Sequence, residues 1–141
     1  MAVNLQLTEN TPKLWTRNFI LICLANLLVF TSFYFLLPTL PVFVVRVLKG
    51  DEANVGYIIG VLSLTAVLIR PLAGFLLDSV GRKKILALAV IGFSLAMVSY
   101  NLVTSMALLF ALRALHGFTW GFATTGLGTI AADVVPPHRR G

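Results

Sequence analysis

The chain has 141 residues, of which 58% are hydrophobic and only 11% are charged, against about 25% charged residues in a typical soluble domain. Its mean hydropathy is +0.93 and its formal net charge is +6. This composition excludes an ordinary soluble domain, a disordered chain and a protein that binds nucleic acid through charge density, and it predicts an integral membrane protein.

Four apolar runs are each long enough to cross a membrane as a helix, for which about 20 residues suffice. A short polar segment, residues 1–17, precedes the first run, and its Trp15 lies between two basic residues, as is typical of a membrane-interface anchor. The predicted spans are residues 18–47, 54–78, 85–103 and 106–133, with a loop over 79–84 and a C-terminal segment over 134–141. The sequence therefore predicts an all-α membrane protein with four transmembrane helices.

The basic residues are distributed unevenly between the two sides of this predicted bundle. One side has seven, namely Lys13, Arg17, Arg82, Lys83, Lys84, Arg139 and Arg140, and the other has two, Arg46 and Lys49, beside Asp51 and Glu52. Because short loops rich in Lys and Arg stay in the cytoplasm, we expect both ends of the chain to lie on the cytoplasmic side of the cell membrane.

The charges at the junction of the second and third spans oppose the helix dipoles. Asp78 lies at the negative C-terminal end of the second span, and Arg82, Lys83 and Lys84 lie at the positive N-terminal end of the third. Membrane topology explains the three cations but not Asp78, so we expect Asp78 to pair with Arg82 or to face another helix end. Gly74, one turn earlier on the same face, would let a second backbone approach closely.

This junction resembles the loop signature of the major facilitator superfamily, written G-x-x-x-D-x-x-G-R-K-K. The matching residues are Gly74, Asp78, Gly81, Arg82, Lys83 and Lys84, while Ser79 stands where the family often has arginine. Two further motifs are similar to family patterns in the same order. They are Leu109, Arg113 and Gly117 in the fourth span, and residues 133–141 after it. The resemblance implies that Asp78 and Arg82 form a cytoplasmic gate, and the alternative is a basic loop that only fixes topology.

Arg113 is a charge inside the fourth predicted span, where an unpaired cation is costly. Its side chain either extends to the outer membrane interface or, as the resemblance implies, faces a cavity and helps to couple proton movement to transport. His116 stands where the family usually has glutamine, one turn from Arg113, and it titrates near neutral pH. It is therefore either a proton partner or a hydrogen-bonded packing residue.

Three further polar side chains inside the predicted spans are candidate functional residues. Arg70 lies on the face of the second span that carries Gly74 and Asp78, where it either pairs toward Asp78 or extends the gate. Asn26 and Tyr34 lie on one face of the first span. The resemblance implies that the first and fourth spans line a central cavity, so these two side chains either contact substrate or pack against helices and lipid.

The sequence gives no indication of catalysis. It contains no recognisable phosphate-binding loop, catalytic dyad or activated nucleophile, and its one cysteine, Cys23, and two distant histidines do not indicate a metal site. We therefore expect no enzyme activity, no cofactor and no nucleic-acid partner.

The resemblance implies a secondary active transporter that exports a small molecule by alternating access with proton coupling, similar to bacterial drug exporters. Because such transporters pair two six-helix halves, we expect these four helices to be the N-terminal portion of one half. The expected partners are substrate, protons, lipid and the remaining helices. The alternatives are a four-helix membrane scaffold without transport activity and a small dimeric multidrug transporter. Small dimeric multidrug transporters use a membrane-embedded glutamate in the first helix. The second alternative is disfavoured because no acidic residue lies between Glu9 and Asp51 in this chain.

Overall fold

The computed structural model describes residues 15–136, so most of the predicted N-terminal tail and the last five residues of the predicted C-terminal segment lie outside the described residues. Four helices make up the described part, and it contains no strand. They are α1 over Arg17–Val42 with a π-helical extension over Phe43–Val47, α2 over Glu52–Ser79, α3 over Arg82–Ser99 with a 3-10 turn over Tyr100–Leu102, and α4 over Met106–Val134. All four are long and apolar enough to span a membrane. The chain is an all-α, multi-pass membrane protein.

Side-chain hydrogen bonds and one glycine turn fix where three of the helices begin. The Thr16 hydroxyl accepts a hydrogen bond from the Phe19 backbone N–H at 3.2 Å, and the Ser105 hydroxyl accepts one from Leu108 at 3.3 Å, so each caps the first turn of its helix. Gly81 precedes α3 with a φ of 117°, a backbone conformation that glycine adopts without steric cost.

The turn at Gly81 shortens the predicted loop. The sequence predicts a loop over 79–84, but the chain reverses direction within Val80 and Gly81 alone. Arg82, Lys83 and Lys84 therefore form the first turn of α3 instead of lying in a loop. Of the three, Arg82 contacts the end of α2, through Asp78.

Helix α4 is the centre of the bundle. Among the 18 most apolar consecutive residues of each helix, 56% are buried in α4 and 22% or fewer in each of the other helices. Helices α2 and α3 pack along α4, and α1 contacts it less extensively. In a bilayer, lipid or further protein covers the apolar side chains that α1, α2 and α3 leave exposed.

Two glycines on α4 allow α2 to approach closely. A β-carbon added to Gly117 would lie 2.4 Å from the carbonyl oxygen of Leu62, and one added to Gly121 would lie 2.8 Å from that of Ala66. Both distances are shorter than a side chain tolerates, so only glycine fits at these positions. Close contacts of this kind through small residues are typical of helix packing in membranes.

Candidate functional site

A cluster of opposite charges joins three helix ends on one side of the bundle. Arg82, the first residue of α3, donates a hydrogen bond from Nη2 to Oδ1 of Asp78 in the last turn of α2, at 3.0 Å. Its Nη1 binds Oδ2 of Asp133 in the last turn of α4. One guanidinium thus links α2, α3 and α4 at this end of the bundle.

The order of the helices explains how this cluster forms. Because α2, α3 and α4 alternate in direction, the end of α2, the start of α3 and the end of α4 lie on one side. The side chains of Arg82, Asp78 and Asp133 remain 39%, 67% and 45% exposed. Exposed ion pairs contribute little to stability, so the cluster is better suited to positioning helix ends than to holding the fold together.

One member of this charge cluster, Asp133, was not predicted from the sequence, and the helix expected to approach Gly74 is not among those described. Asp133 begins the third family motif, but it was not expected to bind Arg82; the alternating direction of the spans is the signal that places both on one side. Lys83 and Lys84 form no ion pair within residues 15–136. A β-carbon on Gly74 would meet no described atom within 4 Å, so the second backbone expected there is not part of α1, α3 or α4.

Arg113 lies inside the bundle, between α4 and α2, with only 1% of its surface exposed. Its Nε donates to the carbonyl oxygen of Ile58 at 3.2 Å, and its Nη1 lies 3.5 Å from the hydroxyl of Tyr100. Nη2 is buried and has no hydrogen-bond partner within the described part of the chain. The guanidinium therefore turns toward neighbouring helices and does not extend to the surface of the bundle.

His116 is fully buried beside Arg113 and shares a partner with it. Its Nδ1 lies 3.0 Å from the Tyr100 hydroxyl, and the rings of Phe33 and Phe93 lie 6.2 and 5.1 Å from the imidazole centre. Its Nε2 is buried without a partner among residues 15–136. Tyr100 thus connects Arg113 and His116. Sequence reasoning missed it, because a tyrosine at the end of a span reads as an interface residue.

Replacing Tyr100 with phenylalanine tests whether this connection stabilises the bundle. The change removes one hydroxyl and leaves Nδ1 of His116 buried without its partner, which costs about 1 kcal/mol. We expect a lower melting temperature for Tyr100→Phe in detergent. Tyr57→Phe is the matched control, because Tyr57 is 66% exposed and makes no hydrogen bond to any described residue. Equal melting temperatures for the two variants would contradict this role of Tyr100.

One of the two candidate residues of α1, Tyr34, belongs to an aromatic surface that faces α4. Phe33 stacks on Trp120 with ring centres 4.2 Å apart, and Phe30 meets the same indole edge-on at 5.0 Å. Tyr34 lies beside both phenylalanines and is 59% exposed. Asn26 is half-buried, and its side-chain amide donates to the carbonyl oxygen of Ile22 in its own helix at 3.3 Å.

Arg70 does not pair with Asp78, in contrast to one of the two sequence-based interpretations. The two residues are two helical turns apart, about 12 Å along α2, and Arg82 binds the Asp78 carboxylate instead. Arg70 is exposed beside a cavity between α1, α2 and α4. Across residues 15–136 no group of three His, Cys, Asp or Glu side chains could hold a metal ion.

The chain is similar in sequence to known drug-resistance proteins. Quinolone resistance protein NorA of Staphylococcus aureus is 26% identical over 113 residues, which cover 80% of this chain and 29% of that protein. Multidrug resistance protein 2 of Bacillus subtilis is 25% identical over 125 residues, which cover 88% of this chain and 31% of that protein. The chain therefore spans about a third of the length of these curated relatives. No solved structure gives a significant match.

The sequence profile of the Major Facilitator Superfamily matches residues 22–141. This match covers most of α1 and all of α2, α3 and α4, and it includes the charge cluster around Arg82 and the buried Arg113. The chain belongs to the Major Facilitator Superfamily.

Proposed function

We propose that the chain is the N-terminal portion of a secondary active transporter that exports small drug-like molecules by alternating access. The observation that carries the proposal is the binding of one arginine, Arg82, to carboxylates at the ends of α2 and α4. Family membership supports transport. The relatives named for quinolone and multidrug resistance support export of drugs. The excess of basic residues at this end of the bundle supports a cytoplasmic position for it.

The charge cluster would act as a cytoplasmic gate. In alternating access the two halves of a transporter rock against each other around a site near the middle of the membrane. Arg82 joins the ends of α2, α3 and α4 at the side of the bundle where the gate would close. Asp78 is 67% exposed, and Arg82 binds only its Oδ1, which leaves Oδ2 for a partner in the other half. Because the cluster adds little to stability, contacts made across it can break and re-form at small cost.

The buried pair on α4 would take part in proton coupling. Arg113 and His116 are almost completely buried, and each has one nitrogen without a partner in residues 15–136. Polar and ionisable groups inside a membrane protein mark proton and substrate pathways more often than packing sites. We place the proton-carrying carboxylate in the other helices of the transporter. Because Nη2 of Arg113 and Nε2 of His116 are buried within the described helices, this pair would exchange a proton with that carboxylate only when the helices separate during transport.

The test is transport by the purified full-length gene product in proteoliposomes. We expect an imposed pH gradient to drive ethidium against its concentration gradient, and a protonophore to abolish that movement. Flux that is independent of the pH gradient would contradict proton coupling. Absence of flux for ethidium and other drugs would favour the membrane scaffold. Transport by residues 1–141 alone would favour the small dimeric transporter.

A further inference from the structure

The polar cavity beside Arg70 lies apart from both the charge cluster and the buried pair on α4. Its volume is about 440 Å³, which is within the range of pockets that bind small molecules, about 300–1,000 Å³. Residues of α1, α2 and α4 form its wall, namely Phe30, Arg70, Thr124, Thr125, Gly128 and Thr129. It thus combines one cation, three hydroxyls and one aromatic ring.

Arg70 is a cation without a counterion in the described part of the chain. It makes no hydrogen bond or ion pair with any residue from 15 to 136. The carboxylates at the same end of the bundle, Asp78 and Asp133, are both bound to Arg82, and the acidic residues at the start of α2 lie at the opposite end of that helix. Because a cation within a membrane span is stabilised by an anion, the cavity favours a negatively charged group.

The three threonines can provide neutral hydrogen bonds to such a group. Each hydroxyl now donates to a carbonyl oxygen one turn earlier, Thr124 to Trp120 at 2.8 Å, Thr125 to Gly121 at 2.7 Å and Thr129 to Thr125 at 2.9 Å. These carbonyls also accept the backbone hydrogen bonds of α4. A hydroxyl can therefore turn its proton to a ligand without leaving a carbonyl unpaired. No carboxylate lines the cavity to repel an anion.

Phe30 adds a flat apolar wall next to the cation. Its ring lies 5.0 Å from that of Trp120 and 6.3 Å from that of Tyr34, so Phe30 belongs both to the cavity wall and to the aromatic surface of α1 and α4. Aromatic rings favour stacked or edge-on contact with other rings. A ligand that carries a carboxylate on an aromatic body would match both parts of the site.

We propose that Arg70 and the three threonines form a subsite for the carboxylate of an aromatic substrate. This inference rests on the proposed export function and adds to it a subsite for those substrates that carry a carboxylate. The planar guanidinium of Arg70 binds both carboxylate oxygens in a fork, and the hydroxyl groups supply neutral donors beside it. The subsite is separate from the charge cluster, because Arg70 lies two turns from Asp78 along α2.

The test compares coumarin-3-carboxylate with its uncharged ethyl ester, both by fluorescence titration of the full-length gene product in detergent. Removal of a charged hydrogen-bond donor weakens binding by about tenfold or more. We therefore expect Arg70→Gln to weaken binding of the carboxylate by at least about tenfold and binding of the ester by less than about twofold. Arg70→Lys, which keeps the charge but not the fork, should fall between Gln and wild type. Equal losses for both compounds, or no loss for either, would overturn the subsite.

A steric variant tests the cavity without changing its charge. A β-carbon on Gly128 would meet no described atom within 4 Å, so a leucine there extends into the cavity. Gly128→Leu is expected to weaken carboxylate binding, and Gly60→Leu, at an equally open position outside the cavity, is not. Unchanged binding in Gly128→Leu would also overturn the proposal. A wild-type protein that exports the ester but does not bind the carboxylate contradicts only this subsite, whereas one that transports no compound contradicts the proposed function.

Discussion

Arg82→Gln is expected to reduce drug efflux by about tenfold, because coupling between sites of a moving protein is typically worth 5- to 150-fold. The substitution removes both ion pairs that join the ends of α2 and α4 to α3. These pairs are exposed, so the variant should fold and reach the membrane in normal amounts. The measurement is ethidium efflux from cells that express equal amounts of each protein.

Lys83→Gln is the matched control for this experiment. It removes one positive charge at the adjacent position, and Lys83 has no ion pair in the described part of the chain. We expect near-normal efflux from this variant. If the two variants lose efflux equally, the cations act only through their number, and the basic stretch fixes topology without forming a gate. Asp133→Asn, which leaves Asp78 in place, should give an intermediate loss.

Gly117→Ala is expected to lower the stability of the helix bundle. Its new β-carbon would meet the backbone of Leu62 at 2.4 Å, and backbone cannot move aside as a flexible side chain can. Helix α2 would have to separate from α4, and overpacking of this kind costs about 1–3 kcal/mol. The measurement is the melting temperature of the purified full-length protein in detergent.

Gly128→Ala, on the same helix, separates this packing effect from helix propensity. No described atom lies within 4 Å of its new β-carbon. Alanine favours the helix over glycine by about 1 kcal/mol, so this variant should melt at the same temperature as wild type or higher. A similar fall in both variants would show that the close approach of α2 to Gly117 is not what stabilises the bundle.

The four helices are largely determined by hydropathy, because a span needs about 20 apolar residues whatever its neighbours are. When the π-helical and 3-10 extensions are counted with their helices, the observed ends lie within three residues of the predicted ones. The largest difference is at the start of α3. Three consecutive basic residues favoured a loop in the sequence-based prediction. In the structure, the positive φ of Gly81 allows the helix to begin at the next residue.

The candidate site was less predictable, because its contacts depend on which helices are neighbours. Asp78 and Arg82 are four residues apart, so their pairing could be expected from the sequence. The contacts of Arg113 with Ile58 and Tyr100 join α4 to two other helices, and no sequence pattern specifies which helix faces which. The same limitation hid the role of Tyr100, and it left the direction of the Arg113 side chain open.

The central claim is that Arg82 helps to close the cytoplasmic side of an alternating-access transporter. The most direct test is the accessibility of a cysteine at Gly128, an open position in the cavity wall, with all native cysteines, including the exposed Cys23, replaced by serine. A membrane-impermeant maleimide is applied from each side of the membrane in turn. We predict labelling from both sides in wild type and a shift toward cytoplasmic labelling in Arg82→Gln. Labelling from one side only, unchanged by Arg82→Gln, would contradict the claim.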